Sequence, residues 1–404
     1  MTDETSPSAA DIAAIKSNYA LTDDQRAILD HVERVAREVL HPLQAEMDEG
    51  EYWPDDLFPK MGELGLLGIT APIELGGSGM DELTQALVTE VISKWNPAVG
   101  LSHGAHDNLC LNNLLRNGSE SQKAKYVPGL CSGKIVGALG LTEPGAGSDA
   151  LGSMATTAVR DGDEYVLNGT KLFITNGPIA DLVLVYAKTD KSKGAKGISA
   201  FLVETTTPGF SVAQKLDKMG FRGSPTGELV FDDCRIPAKN IVGEENTGVA
   251  IVMSGLDLER AMVASMCVGM AERALELALE YSQLREQFGK PIARFQMMQS
   301  RLAEIYVDVE AARALSYRAL AACVGLPKGG GGRGEIHKLT AASVHYAAEA
   351  FNRAVTSATH IHGGSGYMQD TEINRLYRAN KLLEIGAGTS EVRKIIIAQE
   401  LLRG

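Results

Sequence analysis

Basic residues are in deficit in this chain of 404 residues: 39 Lys and Arg face 51 Asp and Glu, for a net charge of −12. Nucleic-acid recognition needs a basic face, so the balance argues against a nucleic-acid partner. Long apolar runs are missing as well, and no stretch reaches the ~18 residues that a membrane-spanning helix requires. Cysteine is sparse. The five, Cys110, Cys131, Cys234, Cys267 and Cys323, show no CxxC or metal-type spacing and read as reduced small hydrophobes rather than a metal or redox site. The opening Met1–Asp11 carries Asp3 and Glu4, with neither the basic n-region of a secretory signal nor the Arg-rich character of a transit peptide. A cytoplasmic location is the expectation. Dinucleotide-binding loops are lacking too: the one GxGxxG match, Gly329–Gly334, follows a helical stretch and Pro327-Lys328 instead of a strand. It reads as a flexible helix–helix connection, which argues against a nicotinamide Rossmann enzyme.

What is present is apolar residue in quantity, 44% of the chain, enough for two or three ordinary domains. From Thr22 to about Ser132 the spacing is helical. Asp23 and Asp24 stand where caps belong, and Ile28, His31, Val32, Val35 and Val39 recur at helix period. Further helices are predicted over Leu57–Leu66, Asp81–Lys94 and Val99–Arg116. From Lys134 to about Asn240 the pattern becomes short β-rich runs: Ile135–Leu141, Glu164–Leu167, Lys171–Thr175, Leu182–Tyr186, Ile198–Val203 and Glu228–Phe231. Asp161-Gly162-Asp163, Asn168-Gly169 and Asn176-Gly177 read as turns between antiparallel strands. From Ile241 helices return, over Val249–Glu286, Phe295–Cys323, Glu335–Ile361 and Thr389–Leu402, and could form an antiparallel bundle. The expectation is an α+β chain of three domains, 1–133 helical, 134–240 β and 241–404 helical.

The sharpest motif is Gly140-Leu141-Thr142-Glu143-Pro144-Gly145-Ala146-Gly147-Ser148-Asp149. It leaves a predicted strand and enters a glycine-rich turn. Such a loop lets backbone N–H groups approach a flat heterocycle or a phosphate without Cβ obstruction. A tight turn capped by Thr142, Ser148 and Asp149 fits the residue types equally well.

Position by position, this stretch resembles the first signature of the acyl-CoA dehydrogenase family. Phe173-Ile174-Thr175-Asn176-Gly177 resembles that family's second flavin element, and Arg222-Gly223-Ser224 its β-domain substrate segment. Arg285, Phe288-Gly289 and Gln296 resemble its helical-domain FAD contacts. His362-Gly363-Gly364-Ser365-Gly366-Tyr367 and Gly388-Thr389-Ser390-Glu391 resemble the C-terminal ones. The similarity runs in family order from about Leu21 to the C-terminus. It implies an N-terminal helical domain, a β-barrel-like middle domain and a C-terminal four-helix bundle. It also implies a homotetramer with FAD between domains and across a subunit contact, an acyl-CoA thioester substrate, and an electron-transferring flavoprotein as redox partner. FAD contacts are implied for Leu139, Leu141, Thr142, Gly147, Ser148, Phe173, Ile174, Thr175, Arg285, Gln296, His360, Gly363, Gly364, Thr389, Ser390 and Glu391.

Within the family, Val99-Gly100-Leu101-Ser102, Gly104-Ala105-His106, Ser254–Arg260 and Glu384–Glu391 look closest to the isovaleryl branch. Most members carry a catalytic glutamate in the C-terminal motif where Ala387 stands here. Alanine cannot take a proton, and the isovaleryl branch places its base on a bundle helix, at Glu259. On residue type alone, Glu259 reads as a surface ion pair with Arg260 or its neighbours. The resemblance implies instead that Glu259 removes the α-proton while the β-hydride passes to flavin N5. A flavin ribityl hydroxyl and the Ala387 N–H would hold the thioester carbonyl. Thr175 would hydrogen-bond near N5, and Ser148 would sit against flavin and thioester. Substrate contacts are implied for Leu101, Ser148, Ala250, Asp257, Arg260, Gly386, Ala387 and Gly388.

Gly386 and Ala387 leave room for a branched acyl chain, and Leu101 supplies an apolar wall. Departures from the branch pattern are Ala250 for a tyrosine, His103 for a tyrosine, His360 for a glutamine and Ala379 for an aspartate. Isovaleryl-CoA is the first choice of substrate, a longer 3-methyl-branched (citronellyl-type) thioester the alternative. An oxygen-using acyl-CoA oxidase and a DNA-associated relative with little dehydrogenase activity are rivals. The first is usually much longer, and the second carries a basic C-terminal surface.

Overall fold

The computed structural model describes residues 21–324 and 332–403, so the first half of the Gly329–Gly334 connection lies outside the described residues. Helix α1 (Asp23–Val35) starts at Thr22, not at the aspartates: the Thr22 hydroxyl accepts from the Gln25 N–H while the Gln25 side chain accepts from the Thr22 N–H. Asp23 and Asp24 occupy its first turn, where their charge complements the helix dipole. Helices α2 (Gln44–Gly50) and α3 (Leu57–Glu63) follow. Next comes α4 (Glu82–Trp95), buried along almost its whole length. The predicted Val99–Arg116 helix is broken into α5 (Pro97–His103), a π-helical stretch (Gly104–Asn112) and α6 (Asn113–Asn117). Helix α7 (Glu120–Cys131) was not predicted, although Ser119 and Gln122 form a capping box at its start.

The middle sheet comprises β1 (Gly137–Gly140), β2 (Thr157–Asp161), β3 (Glu164–Thr175), β4 (Leu182–Lys188), β5 (Ile198–Glu204), β6 (Phe210–Lys215), β7 (Thr226–Pro237) and β8 (Ile241–Val242). The order is β6-β7-β3-β2-β4-β5-β8, with β1 beside β4. It is mixed, not purely antiparallel: β1 pairs in parallel with β4, and β2 meets β4 in parallel at Thr157–Lys188. Gly162-Asp163 makes the expected hairpin between β2 and β3. Asn168-Gly169 is no turn, however. It is a bulge inside one long β3, where the register against β7 shifts between Leu167 and Gly169. Burial on both faces explains the continuous apolar run of β4: Leu182, Leu184 and Tyr186 enter one core, Val183, Val185 and Ala187 the other. The sheet ends with Ile241–Val242 on β5, just beyond position 240.

Long helices then pack together: α8 (Gly248–Leu284), α9 (Gln296–Cys323), α10 (Gly334–His362), the one-turn α11 (Gly364–Tyr367), α12 (Glu372–Ile385) and α13 (Ser390–Leu402). Helix α12 was also missed, although Ile373, Leu376, Ala379 and Leu383 give it a buried stripe. A small hairpin (Glu286–Gln287 with Lys290–Pro291) joins α8 to α9 and projects Phe288, 93% exposed. Among the described residues no helix is long and apolar enough to cross a membrane.

Candidate active site

The glycine-rich loop is held from below by a buried ion pair. Glu143 accepts from Lys171 Nζ at 2.8 Å and from the Ala155 and Thr156 amides at 2.6 and 3.0 Å. Burial opposes both charges and brings the Lys171 ammonium down to about 8. The Glu143 carboxyl nonetheless lies below its usual range, because Lys171 and the amides outweigh its burial. The Leu172 N–H also donates to the Thr142 carbonyl at 2.8 Å. Beyond these ties Gly147 and Ser148 are exposed, and a Cβ added at Gly145 or Gly147 meets nothing within 4 Å. The loop is therefore an open rim on a fixed base, which suits a planar ligand.

Next to it, β3 bulges between Lys171 and Ile174, with Phe173 forced to φ +62° and 64% exposed while Ile174 is buried. Thr175 is half-buried at the end of the strand. Asn176, also left-handed, donates from Nδ2 to the carbonyls of Ser102 and Gly137 at 2.9 and 3.2 Å. That one amide joins the Thr175 corner, the helix carrying Leu101, and β1 carrying Leu139. The Ser102 and Ser224 hydroxyls, 2.8 Å apart, bring Arg222-Gly223-Ser224 to the same place. Leu139 and Leu141, and Val249 and Met253 at the start of α8, are partly buried against the same apolar core, while Ala250 between the latter two is exposed.

Glu259 is half-buried on α8, and among the described residues its carboxylate has no hydrogen-bond or ion-pair partner. The ion pair with Arg260 that residue type alone suggests does not form among the described residues. Arg260 Nη1 donates instead to Asp257 Oδ1 at 3.1 Å. Burial pushes the Glu259 carboxyl up to about 7, against the opposing charges of Arg260 and Arg393. Asp257 is 0% exposed, with His337 Nδ1 at 2.7 Å on Oδ1 and the Gly332 N–H donating to Oδ2 at 2.7 Å. Its acceptor sites face inward, so a direct ligand contact there requires the Gly332 amide to leave. His103 is a satisfied packing residue, with Nε2 on the Leu66 carbonyl at 2.8 Å.

The C-terminal motif forms the turn from α12 to α13. Ala387 sits at φ +55° and Gly388 at φ +91°, and Thr389 caps α13 by accepting from the Val392 N–H. Among the described residues the Ala387 N–H has no acceptor. A non-glycine residue held left-handed is strained, a state kept where the surroundings impose it. Gly386 and Ala387 are half-buried, Ser390 Oγ is buried with no partner among the described residues, and Glu391 is exposed.

The remaining flavin candidates form a second group. Arg285 ends α8 and Gln296 begins α9, both exposed. Tyr281, one turn before Arg285, stacks on His362 at 4.4 Å, and its hydroxyl lies 3.4 Å from Ser365 Oγ. His360, Gly363 and Tyr367 line an open cavity of about 740 Å³. Gly363, at φ +58° and ψ −133°, holds a backbone that only glycine adopts readily. No hydrogen bond, ion pair or ring contact joins this group to the first within the described chain.

Loop rim, bulged strand, half-buried carboxylate and left-handed turn follow one another in this order along a helix–sheet–helix chain. The chain belongs to the acyl-CoA dehydrogenase family, FAD-dependent oxidoreductases acting on the CH–CH bond of acyl-CoA. It matches the family's N-terminal domain over residues 22–134, its middle domain over 138–234 and its C-terminal domain over 246–402. It is 45% identical over 386 residues to isovaleryl-CoA dehydrogenase, mitochondrial, of Pongo abelii, covering 94% of this chain and 89% of that protein. Among solved structures, butyryl-CoA dehydrogenase from Megasphaera elsdenii superposes with a TM-score of 0.90 at 39% identity, covering 95% of this chain and 99% of that one. A chain in the structure described as the electron-transferring flavoprotein of Acidaminococcus fermentans gives 0.91 at 41% identity, with coverage of 95% and 99%.

Proposed function

We propose that this chain dehydrogenates a short branched acyl-CoA, isovaleryl-CoA first, at its α,β-bond, with Glu259 as base. The observation that carries the reading is an unpartnered Glu259 carboxylate raised to about 7, in a chain whose C-terminal motif offers only Ala387. Such a carboxylate is poised to accept an α-proton near neutral pH. The free Ala387 N–H, aimed by a left-handed turn, is the donor for the thioester oxygen as enolate charge develops there. FAD, when bound, accepts the β-hydride. Leu139, Leu141, Thr142, Gly147, Ser148, Phe173, Ile174, Thr175, Thr389, Ser390 and Glu391 would hold it from one group. Arg285, Gln296, His360, Gly363 and Gly364 form the second. The absence of contact between the groups supports a cofactor shared by two subunits, as in a homotetramer. Domain limits near 133 and 240 belong to the same reading.

Substrate preference rests on Gly386, Ala387 and Leu101 at the acyl end, and on the named isovaleryl-CoA relative. Ala250 widens the entrance and keeps the longer 3-methyl-branched thioester as the second reading. An electron-transferring flavoprotein is the proposed electron acceptor. A cytoplasmic location is proposed too, although the Pongo abelii relative is mitochondrial.

The test is an anaerobic titration of the flavin-loaded protein with isovaleryl-CoA, beside Glu259→Ala. Rapid bleaching in the parent and almost none in the variant is the expected result. Far faster bleaching by butyryl- or octanoyl-CoA would end the branched-substrate reading, and equal bleaching of the variant would end the assignment of Glu259.

A further inference from the structure

We propose that Arg393 is a positioning residue of this site, clamping the turn that presents Ala387 and adding its positive charge to the field at the Glu259 carboxylate. The inference rests on the reading of Glu259 as base and of the Ala387 amide as carbonyl donor.

Arg393 is the bulkiest of the fully buried side chains, at 0% exposure. A buried guanidinium is costly unless its donors and its charge are answered. Here no carboxylate pairs with it among the described residues. Its Nη2 donates to the carbonyls of Leu383 and Gly386 at 2.9 and 2.6 Å, and its own N–H donates to the Thr389 carbonyl at 2.9 Å. Among the described residues Nε and Nη1 have no acceptor. Leu383 and Gly386 end α12, where carbonyls lose their intrahelical partners. One fork therefore ties that helix end to the first turn of α13 and fixes the path of Gly386-Ala387-Gly388. The clamp makes the left-handed Ala387 a defined position for its N–H.

The second role is electrostatic. Facing Arg393 are Glu259, Arg260 and Cys267 from α8, Glu384 from α12 and His345 from α10. Facing Glu259 are Arg260, Arg393 and, from β4, the buried Tyr186. Arg260 is already committed to Asp257. Arg260 and Arg393 both hold the Glu259 carboxyl down against its burial, and of the two only Arg393 also carries the turn that presents Ala387. A plain helix-end cap would hold the turn but leave the base untouched, and that difference is measurable.

The experiment compares Arg393→Gln, Arg393→Lys and Glu259→Ala with the parent, all folded and flavin-loaded. Stopped-flow flavin reduction by isovaleryl-CoA is followed across pH. Infrared difference spectra locate the titration of the Glu259 carboxyl directly. Arg393→Gln should move both the kinetic limb and the carboxyl titration to higher pH by about one unit and slow reduction at neutral pH about tenfold. Arg393→Lys keeps the charge and loses the two-carbonyl fork. It should leave the limb in place, slow reduction and change the substrate dissociation constant little. A Gln variant with the parent's carboxyl titration overturns the electrostatic role. A Lys variant with the parent's reduction rate overturns the clamp, and the Lys protein carries the test if Gln does not fold. Should Glu259→Ala bleach like the parent, the underlying base assignment falls. Loss of bleaching there, with Arg393 variants unchanged, removes this inference alone.

Discussion

Glu259 shows how one side chain's surroundings set both chemistry and stability. Its carboxyl is raised from 4.5 to about 7 chiefly by burial, so the base fills as a proton acceptor only as pH climbs through that value. The pre-steady-state bleaching rate should rise with pH around 7 and flatten above it. A flat profile from pH 5 to 9 would contradict the assignment. The same shift makes the folded state bind a proton more tightly than the unfolded one. Folding stability attached to this group is therefore full below about 4.5 and is lost as pH rises through about 7. Glu259→Gln removes that loss, so the variant should gain about 1–3 kcal/mol over the parent at pH 9 and nothing at pH 4.5. Denaturant midpoints at the two pH values check it. The candidacy of Glu259 came through the missing carboxylate at Ala387, whereas its desolvation comes from packing that no local pattern records. Arg393 went unnoticed for the same reason: in sequence it is one more charged residue on a terminal helix.

At the scale of elements, the loop of residues 140–149 depends on β3 through Glu143 and Lys171. Glu143→Ala strands a fully buried ammonium and leaves the Ala155 and Thr156 amides without their acceptor. The expected cost is about 3–5 kcal/mol of stability together with loss of bound flavin. Replacing both partners, Glu143→Leu with Lys171→Met, should recover most of the stability without restoring flavin retention, because the amides still lack an acceptor. Thermal melts and the flavin-to-protein absorbance ratio separate the two effects. What the chain's pattern revealed at this scale was periodicity. The four long helices of the second half were read to within a few residues because 3.6-residue spacing persists over many turns. Helix α7 was overlooked because its start was written in a cap, Ser119 with Gln122, rather than in an apolar stripe. Asn168-Gly169 misled because a bulge and a hairpin use the same residues, and only pairing with β7 distinguishes them. The π-helical stretch after His103 had no local signature at all.

Over the whole molecule, buried charge binds the helical blocks to each other. Lys94 on α4 pairs with Glu272 and Glu276 on α8 at 2.9 and 2.6 Å, and Arg313 on α9 completes the network through Glu272 and Glu310. Glu372 at the start of α12 does the same nearer the surface. It accepts from Arg273 Nε and Nη2, both at 2.9 Å, and lies 3.1 Å from His41 Nε2 in the N-terminal block. Burial pushes this carboxyl up, yet the bonds from Arg273 and His41 outweigh it and hold it at about 2. A depressed folded-state pKa means that the unfolded chain binds the proton first. The stabilisation is therefore complete above about 4.5 and drains away as pH falls toward about 2. The shift corresponds to about 3 kcal/mol. Glu372→Gln should be less stable than the parent by roughly that amount at pH 7, with the gap narrowing below 4.5 and closing near 2. Urea midpoints by circular dichroism across this range decide it. A gap that stays constant with pH would mean that the carboxylate's charge contributes nothing and only the shape of the contact matters. Because His41 and Arg273 come from different blocks, the narrowing should appear equally in the N-terminal and bundle signals if the contact couples them. If only the bundle signal moves with pH, Arg273 alone holds Glu372, and the contact with His41 does not couple the two blocks.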